Sequence, residues 1–173
     1  MGSAFSGEGA VASSLNFAAR EFPREIERKF FVAKLPPEIE NYPCQAIEQG
    51  YLLITETNAE VRLRKAGGSF TLTVKSGGDM VRSEAEIEID SVLFNDLWPA
   101  TVGRRLEKTR YQVVYGDLTI QVDVYGGKLR GLILAEVEFD SLEESTRFVP
   151  PAWFGREVTA DKRYKARELV LRG

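Results

Sequence analysis

The chain has 173 residues, of which 43% are hydrophobic and 28% charged, with a formal net charge of -3, a single cysteine and no histidine. That length suits one domain with a substantial core, and the slight acidity argues against a general nucleic-acid binder. The missing imidazoles exclude Ser-His-Asp and Cys-His catalysis and His-based metal sites, while Cys44 alone allows neither an intrachain disulfide nor a thiolate cluster and points to a reducing, cytoplasmic setting.

Residues 1–22 are rich in Gly, Ala and Ser and lack a basic stretch followed by an apolar run, so no signal peptide is read there. Residues 11–21 are compatible with a short helix, but a flexible extension ahead of a domain over 23–173 is the expectation. No apolar run reaches the roughly 20 residues that span a bilayer, so no membrane contact is expected.

The first strand is expected over 24–33. Side chains alternate between the faces of a strand, so Glu25, Glu27 and Lys29 share one side and Ile26, Arg28 and Phe30 the other. Pro36-Pro37 opens a connection to about residue 43. A strand over 46–54 then sets Gln49 and Tyr51 against Gly50, Leu52 and Ile54. Strands over 60–65 and 69–75 flank Gly67-Gly68, a hairpin signal, and place Arg62 and Arg64, then Thr71, Thr73 and Lys75, opposite apolar neighbours.

Gly77-Gly78-Asp79 turns the chain into a strand over 81–90, with Arg82, Glu84, Glu86 and Glu88 on one side. Residues 91–99 read as a helix with Ser91 as its N-cap. Strands over 104–115, 118–125 and 132–139 follow, carrying Lys108 and Arg110, then Gln121, Asp123 and Tyr125, then Glu136 and Glu138. A short helix over 141–147, a loop at Pro150-Pro151 and a helix over 161–171 complete the chain.

Eight antiparallel strands are enough to close a barrel, which removes exposed edges, and the expected class is α+β with helices on the outside. The apolar face would then lie under the helices, and the charged face would line the interior. Enclosed together, these cations and carboxylates carry a large desolvation cost unless they pair with one another or with a ligand. Phosphate oxygens suit the Arg and Lys groups, and carboxylates suit hard cations such as Mg2+ or Mn2+. Linked phosphates with bound divalent ions satisfy both sets. The bland alternatives are an internal salt-bridge lattice or simply a solvated sheet face. Neither a Walker loop nor a Rossmann fingerprint is present, and the Gly pairs read as turns.

Here the pattern resembles a known family. Glu25-x-Glu27-x-Lys29, Arg62-x-Arg64, Lys75, Arg82-x-Glu84-x-Glu86, Lys108-x-Arg110, Asp123 and Glu136-x-Glu138 match the CYTH superfamily, the triphosphate tunnel metalloenzymes. Gln49-Gly-Tyr-Leu52, Leu97-Trp-Pro-Ala100, Glu107-Lys-Thr-Arg-Tyr111, Trp153-Phe-Gly155 and Asp161-Lys-Arg-Tyr-Lys165 are similar to its short bacterial inorganic triphosphatase branch. The resemblance implies an eight-stranded tunnel, a divalent cation and hydrolysis of a triphosphate-bearing small molecule. By the same resemblance Glu25, Glu27, Glu136 and Glu138 would hold metal, with Asp123 a weaker candidate. Lys29, Arg62, Arg64, Lys75, Arg82, Lys108 and Arg110 would cradle the triphosphate. Glu84 and Glu86 would support a second metal or orient water, and Lys29 would position water or neutralise the leaving oxygen. Cyclisation of ATP, hydrolysis of thiamine or nucleoside triphosphates, and a polyphosphate-binding module without turnover stay open as alternatives, as does a homodimer. Tyr51, Tyr111 and Tyr125 read as packing, and Trp98, Trp153 and Phe154 as contacts on the barrel exterior. Lys162 and Lys165 read as a solvated face, with Lys162 or Tyr164 the groups that could reach the tunnel mouth.

Overall fold

A computed structural model describes residues 26–57, 59–77 and 82–172, with the backbone alone at 77, 82 and 83. Its elements are β1 (Ile26–Val32), β2 (Cys44–Ile54), β3 (Glu60–Ala66), β4 (Ser69–Gly77), β5 (Arg82–Glu88), α1 (Ser91–Leu97), β6 (Arg105–Tyr115), β7 (Leu118–Tyr125), β8 (Ile133–Phe139), α2 (Leu142–Arg147), β9 (Phe154–Glu157) and α3 (Ala166–Leu169). The expected extension over 1–22, Glu25 and the turn at Gly78-Asp79 lie outside the described residues.

All nine strands belong to one antiparallel sheet in the order β5-β4-β3-β2-β6-β7-β8-β1-β9. The class is therefore α+β, as expected, but with one more strand than expected. Pairing among the described residues ends at β5 and β9, with no ladder joining those two strands. β9 arises in what the sequence presents as a loop after Pro151, where Phe154 lies opposite Val32 and Glu157 opposite Phe30.

The register keeps the expected parity. Val113, Ile120, Val122, Ala135, Val137 and Phe139 form a buried cluster on one face with Val32 and Ile39, and Phe148, Trp153 and Phe154 pack against it. Each fully buried aliphatic side chain of this kind contributes about 1.5–3 kcal/mol. Across β2–β4, Phe94 of α1 stacks between Phe70 and Trp98, with ring centroids at 4.8 and 5.0 Å. Gly50 permits this approach, since a Cβ there would lie 2.6 Å from Thr101 Oγ1. In the β3–β4 turn Gly67 holds φ 57°, the left-handed region that glycine tolerates.

The helices differ from expectation in detail. The N-cap of α1 is Asp90, whose carboxylate accepts from Leu93 N, and not Ser91. A 3-10 turn over Trp98–Thr101 then continues it. The expected helix over 161–171 is broken into a 3-10 turn (Lys162–Tyr164), N-capped by Asp161, and α3, because Lys165 between them is extended at φ -70°, ψ 137°. This break turns Tyr164 onto Phe31, at 4.7 Å between ring centroids. Phe31 pairs with Leu134 on the charged face. There Tyr51, Leu106, Tyr125 and Leu134 form a second buried cluster with Val158, Leu169 and Val170. The C-terminal segment thus covers one end of the charged face.

Candidate active site

Cross-strand register sets the charged side chains out in rows. On β3, β4 and β5 the rows are Glu60–Lys75–Glu84, Arg62–Thr73–Glu86 and Arg64–Thr71–Glu88. On β6, β7, β8 and β1 they are Lys108–Tyr125, Arg110–Asp123–Leu134, Gln112–Gln121–Glu136–Lys29, and Glu138–Glu27. β2 joins the two walls through Gln49, opposite Arg64 and Leu106, and Tyr51, opposite Arg62. All the assigned cations except Arg82, together with Glu27, Glu84, Glu86, Asp123, Glu136 and Glu138, therefore share one face. The side chains of Glu25 and Arg82 lie outside the described residues, although Arg82 is placed in β5 opposite Gly77.

The wall containing β6 to β8 and β1 is a continuous ionic chain. Lys29 Nζ lies 2.7 Å from Glu136 Oε1, and Arg110 donates to Glu136 Oε2 at 2.8 Å. Arg110 also grips Asp123 through two bonds of 2.6 Å, and Lys108 donates to the same carboxylate. Burial disfavours the Glu136 carboxylate, yet Lys29, Arg110 and Lys108 together hold its pKa at about 2. Burial also works against the Lys29 ammonium, but Glu136 and Glu27 raise its pKa. At Lys108 burial wins and the pKa falls despite Asp123. Asp123, fully buried, has both oxygens committed to these cations. For this half of the face the internal salt-bridge lattice is what the chain contains.

The β3–β5 wall is looser. Lys75 pairs with Glu84 at 2.6 Å, and Arg62 lies 3.4 Å from Glu86 and 3.9 Å from Glu84. Arg64 has no ion pair among the described residues, and its Nε is buried without an acceptor, as are Arg62 Nε and Thr71 Oγ1. Burial, and then the neighbouring Arg62 and Arg110 charges, lower the Arg64 pKa. A mostly buried guanidinium beside two others is a strong anion acceptor.

Among the described residues no three carboxylates gather at metal-ligating distance. The donor chemistry still fits a hard cation where Glu27 and Glu138 lie directly opposite each other, with Lys29 Nζ 4.0 Å from Glu27 Oε1. Glu27 is 44% exposed at its side chain. Tyr51 and Tyr125 are buried on the charged face, and burial raises both pKa values, which fits packing rather than proton transfer. Tyr111 faces the apolar cluster. Lys162 is exposed, while Tyr164 reaches Phe31 at the covered end. Gln121 and Thr73 carry contacts within the site that charge alone did not single out. Gln121 accepts from Arg110 and donates to Glu138 at 3.4 Å.

No protein-family model matches the sequence. It is 48% identical over 149 residues to an inorganic triphosphatase of Nitrosomonas europaea, covering 85% of this chain and 97% of that one. A second inorganic triphosphatase, from Acetivibrio thermocellus, is 33% identical over 153 residues, covering 85% and 93%. A crystal structure of an inorganic triphosphatase, 46% identical, superposes with a TM-score of 0.70 over 87% of this chain and 97% of that one. A Pyrococcus horikoshii protein of 20% identity, covering 86% of this chain and 96% of that one at a TM-score of 0.51, shares the fold alone. Among the described residues no helix is long and apolar enough to cross a membrane.

Proposed function

The chain belongs to the short bacterial inorganic triphosphatase branch of the CYTH superfamily, and from that premise we propose that it hydrolyses tripolyphosphate to diphosphate and phosphate with Mg2+ or Mn2+. The observation that carries this reading is Arg64, a cation held on a charged sheet face without an ion pair among the described residues. We place the substrate against β3 and β4, with Arg62, Arg64 and Lys75 on its phosphates and Arg82 beside them. Lys29, Lys108 and Arg110 face it from the opposite wall. In this reading the sheet curls into a channel, which the shared cluster of β1, β2, β6, β7 and β8 residues around Val158 and Leu169 supports.

Glu27 and Glu138, with Glu25 and Glu136 adjoining, would hold a divalent cation, which supplies charge neutralisation to phosphoryl oxygens. The chain's own groups do the rest. Glu86 is kept ionised: burial opposes this, but the Thr73 hydrogen bond and the Arg64 and Arg62 charges lower its pKa. Glu86, with Glu84, can therefore orient a water for in-line attack on a terminal phosphorus. The guanidinium groups stabilise charge on the transferred group, and Lys29 neutralises the departing diphosphate oxygen. Cys44, exposed and unpaired, accords with a reducing, cytoplasmic setting.

The test is release of phosphate and cyclic AMP from tripolyphosphate, ATP and thiamine triphosphate with Mg2+ or Mn2+. Tripolyphosphate is expected to be turned over best. Arg64→Ala should raise KM by about 10- to 100-fold, as expected for a lost charge-assisted contact. Glu27→Gln should lower kcat and raise the metal concentration required. Turnover of none of the three substrates, or cyclic AMP as the main product, overturns the reading.

A further inference from the structure

Arginine meets carboxylate in two different ways on the two walls. On β6 and β7 the Arg110 fork closes on Asp123 through two bonds of 2.6 Å. On β3, β4 and β5 the corresponding pair does not close. Arg62 and Glu86 occupy one row with Thr73 between them, and the Thr73 hydroxyl accepts from Arg62 Nη2 at 3.1 Å and donates to Glu86 Oε2 at 2.7 Å. The direct Arg62–Glu86 separation is 3.4 Å, beyond the ~2.7–2.9 Å of a full charge-assisted bond. Thr73 is fully buried in the middle of a strand, where valine has the same shape and β preference. A hydroxyl at such a place is costly unless it is bonded, and this one both donates and accepts.

We infer that Thr73 is a positioning residue that keeps Arg62 and Glu86 from closing into a bidentate ion pair, so that the guanidinium stays available to a phosphate chain and the carboxylate to water or metal. The inference rests on the triphosphatase reading and deepens it. A phosphate arriving at Arg62 then need not break a closed pair first. Without the hydroxyl, Arg62 and Glu86 lose their shared partner, and each satisfies the other.

Calorimetric titration of the metal-free full chain with tripolyphosphate tests this, with melting temperatures as the control for folding. Thr73→Val should weaken binding by about tenfold, the scale of one charge-assisted hydrogen bond. Thr73→Ser should stay within about threefold of the parent. The penalty of Thr73→Val should shrink to twofold or less when Glu86→Gln is also present, because no carboxylate charge then competes for Arg62. If Thr73→Val does not fold, Thr73→Ala removes the same hydroxyl without adding a methyl and reads the same quantity. Parent-like binding by both hydroxyl-free variants overturns the inference, and so does a penalty that persists in full beside Glu86→Gln. Tripolyphosphate turnover by the parent with Mg2+ is measured in parallel. An active parent with either of those binding results removes only the role of Thr73, whereas an inactive parent removes the triphosphatase reading and this inference with it.

Discussion

Glu136 shows how one residue can carry both charge economy and stability. Its oxygens go to Lys29 and Arg110, and its pKa lies at about 2 where an unfolded carboxyl titrates near 4.3. A depressed pKa of this kind contributes stability that is fully present above the unfolded value and is lost as pH falls through 4 toward 2, on the order of 3 kcal/mol in all. Thermal melts should therefore show a marked fall in Tm between pH 5 and pH 2.5. Glu136→Gln should flatten part of that slope while lowering Tm at pH 7, because Lys29 and Arg110 then stay buried without their shared counter-charge. An unchanged acid slope in the variant would remove Glu136 from this role. Such partnerships were only half legible in the sequence. Strand parity placed Glu136, Asp123 and Arg110 on one face, but which oxygen meets which nitrogen depends on register between strands, and two-residue alternation carries no register. Asp123 is the clearest case: its spacing reads equally well as a metal ligand or as an ionic clamp on Lys108 and Arg110.

At the scale of elements, Arg28 is the apolar-side residue that departs from its pattern. It points away from the charged face and binds Glu157 of β9 through bonds of 3.0 and 2.7 Å. It also donates to Ser145 O at 2.9 Å and to Phe148 O, and lies over the Phe30 ring at 5.1 Å. One guanidinium thus ties α2 and β9 to β1. Arg28→Ala should cost about 1–3 kcal/mol, read as a lower denaturant midpoint, and should expose β9 to faster amide exchange than β2–β7. Equal loss of protection across the sheet would contradict that local role. The elements that the sequence made plain are those with long, strict alternation, β3, β4 and β6–β8. β9 was illegible because four residues containing Gly155 and two charges show no period, and its pairing comes from the opposite end of the chain. The C-terminal helix was misread in a complementary way. Ala166, Leu169 and Val170 keep a helical i, i+3, i+4 spacing, but they are apolar because they cover the charged face, and the extended Lys165 ends the preceding turn before a helix can run through.

For the molecule as a whole, the two walls differ in readiness. One is internally neutralised, and the other holds Arg64 without an ion pair among the described residues. Tripolyphosphate without metal should therefore raise Tm in a concentration-dependent way, by the linkage of binding to folding, and Arg64→Ala should abolish most of that shift. Absence of any shift in the parent would argue against a preformed anion site. The long ladder of β1 adds a kinetic consequence. Among the described residues β1 pairs with β8 and β9 alone, and its bond from Arg28 to Glu157 joins residues 129 positions apart. Contacts of that separation are slow to form, because a long loop must close before they give any return. The hairpins of β2–β5 and of β6–β8 can each assemble from neighbouring strands as they leave the ribosome, one carrying Arg62 and Arg64 and the other Lys108 and Arg110, and they meet where β6 pairs with β2. Lys29, made early, waits for Glu136 and the strand that bears it, so the long loop closure that docks β1 on β8 is also the one that completes the ionic chain.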